Sequence, residues 1–321
     1  MTALLVALAY AFSPSTKLNY DVDVQLDGFL PLMGGQEGQV GIKMMVAVTG
    51  GEPSDGRLKS SSEIQSFEVA FNGAKLPVGV DNVKEYFPKT TIEIEPTGKI
   101  VKSDAPDKKL PIRLPGLDVK HFPDVTYVPI ELPAGDVEAG KTWTFSRDFG
   151  GAPIEYSCKA ESESNGIWTI AVNLRQSYTV LESPTYEVVA SEADASSVVK
   201  TTMTGEGKVM FSSLAGRVES AEMVNTAKSE VTDLKSKATK ARTLVTKYKI
   251  KLPTGAQAVA SKSTQGQPWW QKIALGARDV LVWLQAATLF GLDALPKELE
   301  TFRPALSHVA KGLGLLLGRL T

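Results

Sequence analysis

The sequence has little of the residues that build most catalytic and metal centres. Its 321 residues include one cysteine, Cys158, and two histidines, His121 and His308, which lie far apart. A single thiol excludes an intrachain disulfide, and two distant histidines disfavour a histidine-based zinc site or catalytic triad. The G-x-S-x-G elbow of many hydrolases is also missing. We therefore predict a protein that is not an enzyme, with no catalytic, cofactor-binding or metal-binding residues.

An excess of charge of either sign is also lacking. The 35 basic and 36 acidic residues give a formal net charge of −1, so no overall field attracts nucleic acid. Asp21, Asp23 and Asp27 lie near one predicted strand, and a calcium site there is one interpretation. A solvated strand face is the simpler one, because the spacing of an EF-hand loop is absent. We predict no nucleic-acid partner.

Long apolar runs are scarce. The run at 3–11 is too short to span a membrane, which takes about 20 residues. It ends in Ala9-Tyr10-Ala11, an A-x-A cleavage pattern, which predicts a signal peptide over residues 1–11 and export to the periplasm or cell envelope. No basic residue precedes the run. Two alternatives therefore remain: the true start lies upstream, or the run is a buried strand of a cytosolic protein.

Alternating apolar and polar residues predict β structure from 17 to 252. Five turn signals separate the predicted strands, which favours an antiparallel meander with one buried face. These turn signals are Ser54-Asp55-Gly56, Phe71-Asn72-Gly73, Pro96-Thr97-Gly98, Ser164-Asn165-Gly166 and Leu214-Ala215-Gly216. A last hairpin is predicted to turn near 234–237.

The β region divides into two halves that resemble each other, about 17–109 and 137–252. Residues 92–104 align with residues 210–222, since each contains a strand, a tight turn closing on glycine and a basic residue. A looser match pairs Asn72-Gly73 with Asn165-Gly166. These matches indicate a duplication, although any β meander produces such similarities. Between the halves, the crossover at 110–136 is rich in proline and is predicted to run along the surface or a sheet edge.

The letters GDVEAGKT at 135–142 match the G-x-x-x-x-G-K-[ST] phosphate-binding loop. That loop requires a helix after it, whereas the residues that follow alternate as a strand does. Asp136 and Glu138 would also repel a triphosphate. We interpret the match as chance and predict no nucleotide partner. Gly140 is expected to turn the chain and Trp143 to enter the core.

Two passages carry a resemblance to a known group of proteins. One is the step from Leu132-Pro133 through Val137 and Gly140 to Trp143, and the other is the strand pair 205–220. Together they resemble exported bacterial β-rich proteins of unknown function. The shape this implies looks like half-barrel lipoprotein carriers and related periplasmic lipid-binding proteins. The resemblance implies no catalytic residue.

The C-terminal region has a different character. Residues 253–267 are small and polar, as in a flexible linker, and residues 268–321 show helical periodicity. Tryptophans and basic residues lie beside an apolar face there, which suits a membrane surface or a protein partner. The predicted contact residues are Trp269, Trp270, Lys272, Arg278 and Trp283. Packing of these helices on the sheet is the alternative.

The sequence as a whole predicts a mostly β, α+β fold: a large curved antiparallel sheet, half-barrel-like, in two related halves, followed by a C-terminal helical tail. The expected function is that of an exported, non-enzymatic binding protein with an apolar groove for a lipid or other hydrophobic small molecule. An envelope structural protein attached through its tail is the alternative. A third hypothesis is a hydrolase that uses Asp118, His121 and Asp124 on the crossover.

Overall fold

Tight turns with left-handed backbone divide the chain into long antiparallel strands. Three of them place two successive residues at positive φ, as a type I′ hairpin turn requires: Asp55-Gly56 at 54° and 73°, Asn72-Gly73 at 47° and 81°, and Asn165-Gly166 at 53° and 79°. Asparagine, aspartate and glycine tolerate this conformation better than other residues. All five predicted turns are confirmed.

The computed structural model describes residues 6–14, 16–31, 34–84, 87–105, 122–148 and 152–253. Residues 110–121 of the predicted crossover, most of the linker and the tail at 268–321 lie outside these residues. The strands are β1 Val6–Ala7, β2 Lys17–Leu30, β3 Gln36–Ser54, β4 Arg57–Phe71, β5 Ala74–Leu76, β6 Thr90–Ile94, β7 Ile100–Ser103, β8 Asp136–Val137, β9 Thr142–Arg147, β10 Ile154–Ser164, β11 Ile167–Glu182, β12 Val188–Val189, β13 Ser197–Ser212, β14 Arg217–Asp233 and β15 Thr239–Lys251. The helices are α1 Val80–Val83, α2 Phe122–Tyr127 and a 3-10 turn at Glu192–Asp194.

Thirteen of these strands form one open antiparallel sheet, which confirms the predicted fold class. The order along the sheet is β7-β6-β4-β3-β2-β15-β14-β13-β11-β10-β9, with β5 beside β4 and β12 beside β11. The first long strand therefore pairs with the last one, β2 with β15, in the middle of the sheet. The short strands β1 and β8 form a separate pair.

The strands of the two halves follow the same order of pairing. In the first half β4 pairs with both β5 and β6, and in the second half β11 pairs with both β12 and β13. By element order, the turn Asp55-Gly56 is the counterpart of Asn165-Gly166. The looser sequence match had instead paired Asn165-Gly166 with Asn72-Gly73, which belongs to the next hairpin.

Strand alternation gives the sheet an apolar inner face and a polar outer face. The buried core residues of β2 and β15 occupy every second position, for example Val22, Val24 and Leu26 on β2 and Leu244 and Ile250 on β15. Each strand thus sends one set of side chains inward, as expected when one face of an antiparallel sheet is buried.

A buried segment, Val128–Leu132, lies across one end of the inner face, between the β6–β7 turn and edge strand β9. We call this segment the bridge and this end of the inner face the base. At one end, Leu132 N donates to Thr97 O at 2.7 Å in the β6–β7 turn. At the other end, Arg147 Nη1 on edge strand β9 donates to Val128 O at 2.8 Å. In a flat sheet, β6 and β9 would be nine strand spacings apart, roughly 43 Å. Five residues span at most about 17 Å, so the sheet must be strongly curved.

The bridge corrects the prediction of a surface crossover. Val128, Ile130 and Leu132 are at most 4% exposed, and Tyr127 before them is fully buried. The prolines of this stretch suggested a surface path because proline lacks a backbone donor. The bridge instead offers carbonyl groups, and donors from other elements satisfy them: the Arg147 guanidinium and the Trp143 indole, which donates to Glu131 O at 2.7 Å.

Candidate ligand-binding face

Half-buried apolar side chains lie on the inner face of β3 and β4, and we call this set the apolar margin. Its members are Ile42, Phe67, Val69 and Phe71, all packed against the main core cluster without being fully covered. Val69 lies directly opposite Ile42 in the strand pair. The Phe67 ring is also 6.3 Å from the Phe87 ring. The margin is therefore a continuous apolar surface joined to the core.

Strand alternation in β4 produces the apolar margin. Phe67, Val69 and Phe71 point inward, while Glu68 lies between them on the outer face. Glu68 forms an ion pair with Lys75 at 2.9 Å. The hydrogen bond from Lys75, reinforced by its charge, lowers the pKa of the Glu68 carboxyl. The outer side of the same strand is thus polar and ionised, and only the inner side suits an apolar ligand.

A small cavity of about 50 Å³ lies on the inner face of the second half. Arg242 closes it by donating to both carboxylate oxygens of Glu182 at 2.8 and 2.9 Å. The Arg242 guanidinium also lies 4.0 Å from the centre of the Phe29 ring. Cavities that hold drug-sized ligands measure about 300–1,000 Å³. This cavity holds at most a water or two, so it does not serve as the ligand site.

Some polar groups that reach the inner face hydrogen-bond to each other. Tyr248 hydrogen-bonds to Asn225, and burial raises the pKa of the Tyr248 phenol. Thr201 and Ser229 share a hydrogen bond of 2.8 Å. These pairs bind each other across adjacent strands, so they offer a ligand little polar recognition.

Two larger grooves lie on the outer face, with volumes of about 460 and 780 Å³. They share Asp23, Gln25 and Lys247 at the centre of the sheet. The charged groups of the larger groove form ion pairs across strands, such as Lys249 with Glu222 at 2.7 Å. The pairing of these charges makes the outer face a surface suited to water.

The aspartates of β2 belong to this pattern of opposite charges. Asp21 lies opposite Lys251, and Asp23 lies opposite both Lys249 on β15 and Lys43 on β3. Lysine side chains therefore lie where a bound cation would be needed. Within the described ranges no group of three or more metal-ligating side chains occurs.

The GDVEAGKT pattern forms a strand, a turn and a strand. Gly140 N donates to Ala160 O at 2.7 Å, and strand β9 follows, where a phosphate loop would have a helix. The Lys141 ammonium donates to the backbone carbonyls of Ala134 and Asp136. Its charge therefore points back onto its own loop and not toward a phosphate site.

Trp143 differs from its prediction in one respect. It packs against the core but remains half-exposed. The reason is that β9 is the edge strand of the sheet, so one side of the indole has no neighbouring strand to cover it. The exposure of Trp143 therefore depends on the order of strands in the whole sheet and not on the local sequence pattern.

The residues of the hydrolase hypothesis are only partly described. Asp118 and His121 lie outside the described residues. Asp124 is fully buried in α2 and not on an open loop. Its Oδ1 accepts hydrogen bonds from Ser62 Oγ at 3.1 Å and Thr90 Oγ1 at 3.0 Å. In this position the carboxylate anchors α2 to the sheet.

The predicted contact residues of the tail, Trp269, Trp270, Lys272, Arg278 and Trp283, lie outside the described residues. Neither of the α-helices in the described part of the chain is long and apolar enough to cross a membrane.

The sequence had indicated a strand at the apolar margin without assigning it a role. Its signal was the F-x-V-x-F spacing of Phe67, Val69 and Phe71.

Comparisons with known proteins find little. No model of a known protein family matches the chain, and no curated protein matches it. A solved structure concerning lipid–protein interactions in lipovitellin is similar to 77% of this chain, with 13% sequence identity and a TM-score of 0.44. The matched part spans 27% of the lipovitellin chain. A likeness at this level establishes no shared function.

Proposed function

We propose that the protein is a non-enzymatic binding protein that takes a lipid or another hydrophobic small molecule at the apolar margin. The observation that carries the proposal is the half-buried state of Ile42, Phe67, Val69 and Phe71. Covering apolar surface contributes about 25 cal/mol per Å². A ligand that covers about 150 Å² of the margin would therefore gain about 4 kcal/mol before its own ordering cost.

Two neighbouring residues of β4 allow a matched test. Val69 lies on the inner face and Ala70 on the outer face, and both are half-buried. We would titrate delipidated wild-type protein, Val69→Asp and Ala70→Asp with a fluorescent fatty acid. The proposal expects saturable binding by the wild type and by Ala70→Asp, and at least about tenfold weaker binding by Val69→Asp, because a buried carboxylate opposes the apolar ligand.

Circular dichroism of each variant shows whether the sheet remains folded. If the wild-type protein ignores the fatty acid, or if both folded variants bind as well as it does, the margin is not the binding site.

A second candidate function is a structural envelope protein attached through its tail. The bridge favours this function, because among the described residues its own side chains, such as Val128 and Ile130, are fully buried and fill this end of the inner face. Trp269→Lys and Trp270→Lys in the full chain, and deletion of 268–321, would be compared in liposome flotation. Unchanged partitioning in both would exclude attachment through these residues.

Export to the periplasm or cell envelope is a separate proposal, based on the resemblance of residues 132–143 and 205–220 to exported bacterial β-rich proteins. Fractionation of cells that express the untagged chain tests it. Recovery in the soluble cytosolic fraction alone would contradict export.

A further inference from the structure

The N-terminal apolar run crosses the base of the sheet as part of the core. Strand β1 pairs with β8, with Val6 opposite Val137. Beyond it, Leu8, Tyr10 and Phe12 are 4%, 2% and 2% exposed. We call residues Leu8–Ser13 the clasp. Every second side chain of the clasp is buried, as in an inserted strand.

Hydrogen bonds join the clasp to both halves of the sheet. Tyr10 N donates to Pro96 O at 2.7 Å in the β6–β7 turn, and Ala11 N donates to Gly216 O at 2.8 Å in the β13–β14 turn. The Tyr10 hydroxyl donates to Ile130 O of the bridge at 2.9 Å. The two turns are the ones that the internal sequence match aligns with each other. The clasp therefore connects equivalent turns of the two halves.

Aromatic contacts fix the clasp from within. The Tyr10 ring meets the Phe211 ring of β13 edge-on at 5.2 Å. The Phe12 ring meets the Tyr127 ring of α2 edge-on at 5.6 Å. Both arrangements are favourable for aromatic pairs. The two rings thus tie the clasp to the second half and to the crossover.

Three glycines, in β3, the β6–β7 turn and the β13–β14 turn, leave room for the clasp. A Cβ at Gly98 would lie 2.4 Å from the Tyr10 ring, and one at Gly216 would lie 2.5 Å from Ala11 Cβ. A Cβ at Gly50 on β3 would lie 1.9 Å from Ser13 O. Real Cβ contacts do not come this close. With the clasp in place, only glycine fits at positions 50, 98 and 216 without a shift of the neighbouring atoms.

The same residues carry the A-x-A pattern that predicts signal-peptide cleavage. Cleavage after Ala11 would remove Leu8 and Tyr10 from the core and the partners of Pro96 O and Gly216 O. We propose that residues 6–13 are retained in the mature protein, where the clasp holds the two halves of the curved sheet together. Residues 6–13 are then part of the folded core. This inference does not depend on any ligand.

Glycine variants test the clasp within the intact chain. Gly98→Ala is compared with Gly135→Ala, because both glycines have positive φ, at 89° and 74°, but a Cβ at Gly135 would meet nothing within 4 Å. Both variants bear the strain of a left-handed alanine, and only Gly98→Ala meets Tyr10. We expect Gly98→Ala to lower the melting temperature by about 4 °C or more beyond Gly135→Ala.

A double variant makes the test specific. In a Tyr10→Ala background the 2.4 Å contact is gone and only a 3.0 Å contact with Ile130 O remains, so most of the excess cost of Gly98→Ala over Gly135→Ala should disappear. If the two glycine variants are equal already in the wild-type background, the clasp does not occupy this place. The intact mass of the protein purified from cells gives the second measurement. A chain that begins at or before Val6 supports retention, and a chain that begins at Phe12 overturns it.

Discussion

At the scale of single residues, the Arg147 side chain joins edge strand β9 to the bridge. It is 5% exposed, donates to Val128 O and Pro129 O, and lies 3.5 Å from the Glu131 carboxylate. Its guanidinium also faces the Phe145 ring at 5.3 Å. Burying an arginine is costly unless its donors are used, and here two carbonyl groups of the bridge accept from Nη1.

We predict that Arg147→Met lowers the free energy of unfolding by about 2–4 kcal/mol, because it leaves buried carbonyl groups of the bridge without donors. Urea unfolding would measure the change. Arg175→Met on the exposed face of β11 is the matched control, with an expected change within about 0.5 kcal/mol. Equal effects of the two substitutions would show that Arg147 does not support the bridge.

Glycines within strands give a second residue-scale prediction. A Cβ at Gly207 would lie 2.2 Å from Glu222 O, whereas one at Gly41 would meet nothing within 4 Å. We expect Gly207→Ala to destabilise the protein by about 1–3 kcal/mol. Gly41→Ala should be neutral or stabilising by up to about 1 kcal/mol. Urea unfolding of both variants is the measurement, and a cost at Gly41 equal to that at Gly207 would contradict the account.

The glycines also show where sequence reasoning fails at this scale. The sequence alone gives no reason for Gly205 and Gly207 within strand β13. The register of β13 is regular there, and its irregularity lies between Met210 and Phe211. A larger residue does not fit at these two positions, because Asn225 and Met223 from β14 lie against the glycines. That β14 lies beside β13 in this register is known only once the strand order is known.

At the scale of elements, opposite charges support the central pairing of β2 with β15. Asp21 on the outer face lies opposite Lys251. Cross-strand pairs of opposite charge contribute about 0.2–1 kcal/mol, and like charges destabilise by similar amounts. Asp21→Lys should therefore lower stability by up to about 1 kcal/mol. The exchange Asp21→Lys with Lys251→Asp should restore most of the loss in urea unfolding. A double variant no better than Asp21→Lys would contradict this role.

Local sequence patterns predicted the hairpin turns, but they did not predict the burial of the bridge or the partial exposure of the apolar margin. The turns depend on neighbouring residues, and the predicted hairpin near 234–237 is confirmed, with β14 ending at Asp233 and β15 beginning at Thr239. The bridge was missed because its burial depends on donors from Arg147 and Trp143, which are distant in sequence. The apolar margin was missed for a similar reason: alternation shows two faces of a strand, but not how completely each is covered.

At the scale of the whole molecule, buried acidic hydroxyl and thiol groups predict how stability depends on pH. Burial raises the pKa of Cys158 from 9.0 to about 12 and raises the pKa values of Tyr10, Tyr20 and Tyr127 above their usual 10.0. These groups ionise at their ordinary values in the unfolded chain but keep their protons in the folded one. The folded state therefore binds more protons above pH 9, and stability falls as the pH rises.

The expected result is a urea midpoint that these groups leave unchanged up to about pH 8.5 and that declines steadily from pH 9 to 10.5. Tyrosinate absorbance should likewise appear at a higher pH in the folded protein than in urea. A midpoint that stays constant up to pH 10.5 would mean that these side chains are not buried in solution.

We propose that the curved sheet presents an apolar margin to a hydrophobic ligand. Native mass spectrometry of the wild-type protein, Val69→Asp and Ala70→Asp, each purified gently from cells without detergent, shows whether such a ligand is bound. We expect lipid-sized mass adducts on the wild type and on Ala70→Asp, and their loss in folded Val69→Asp. A wild-type protein that carries only its own mass, and acquires no adduct when mixed with fatty acids, would contradict it.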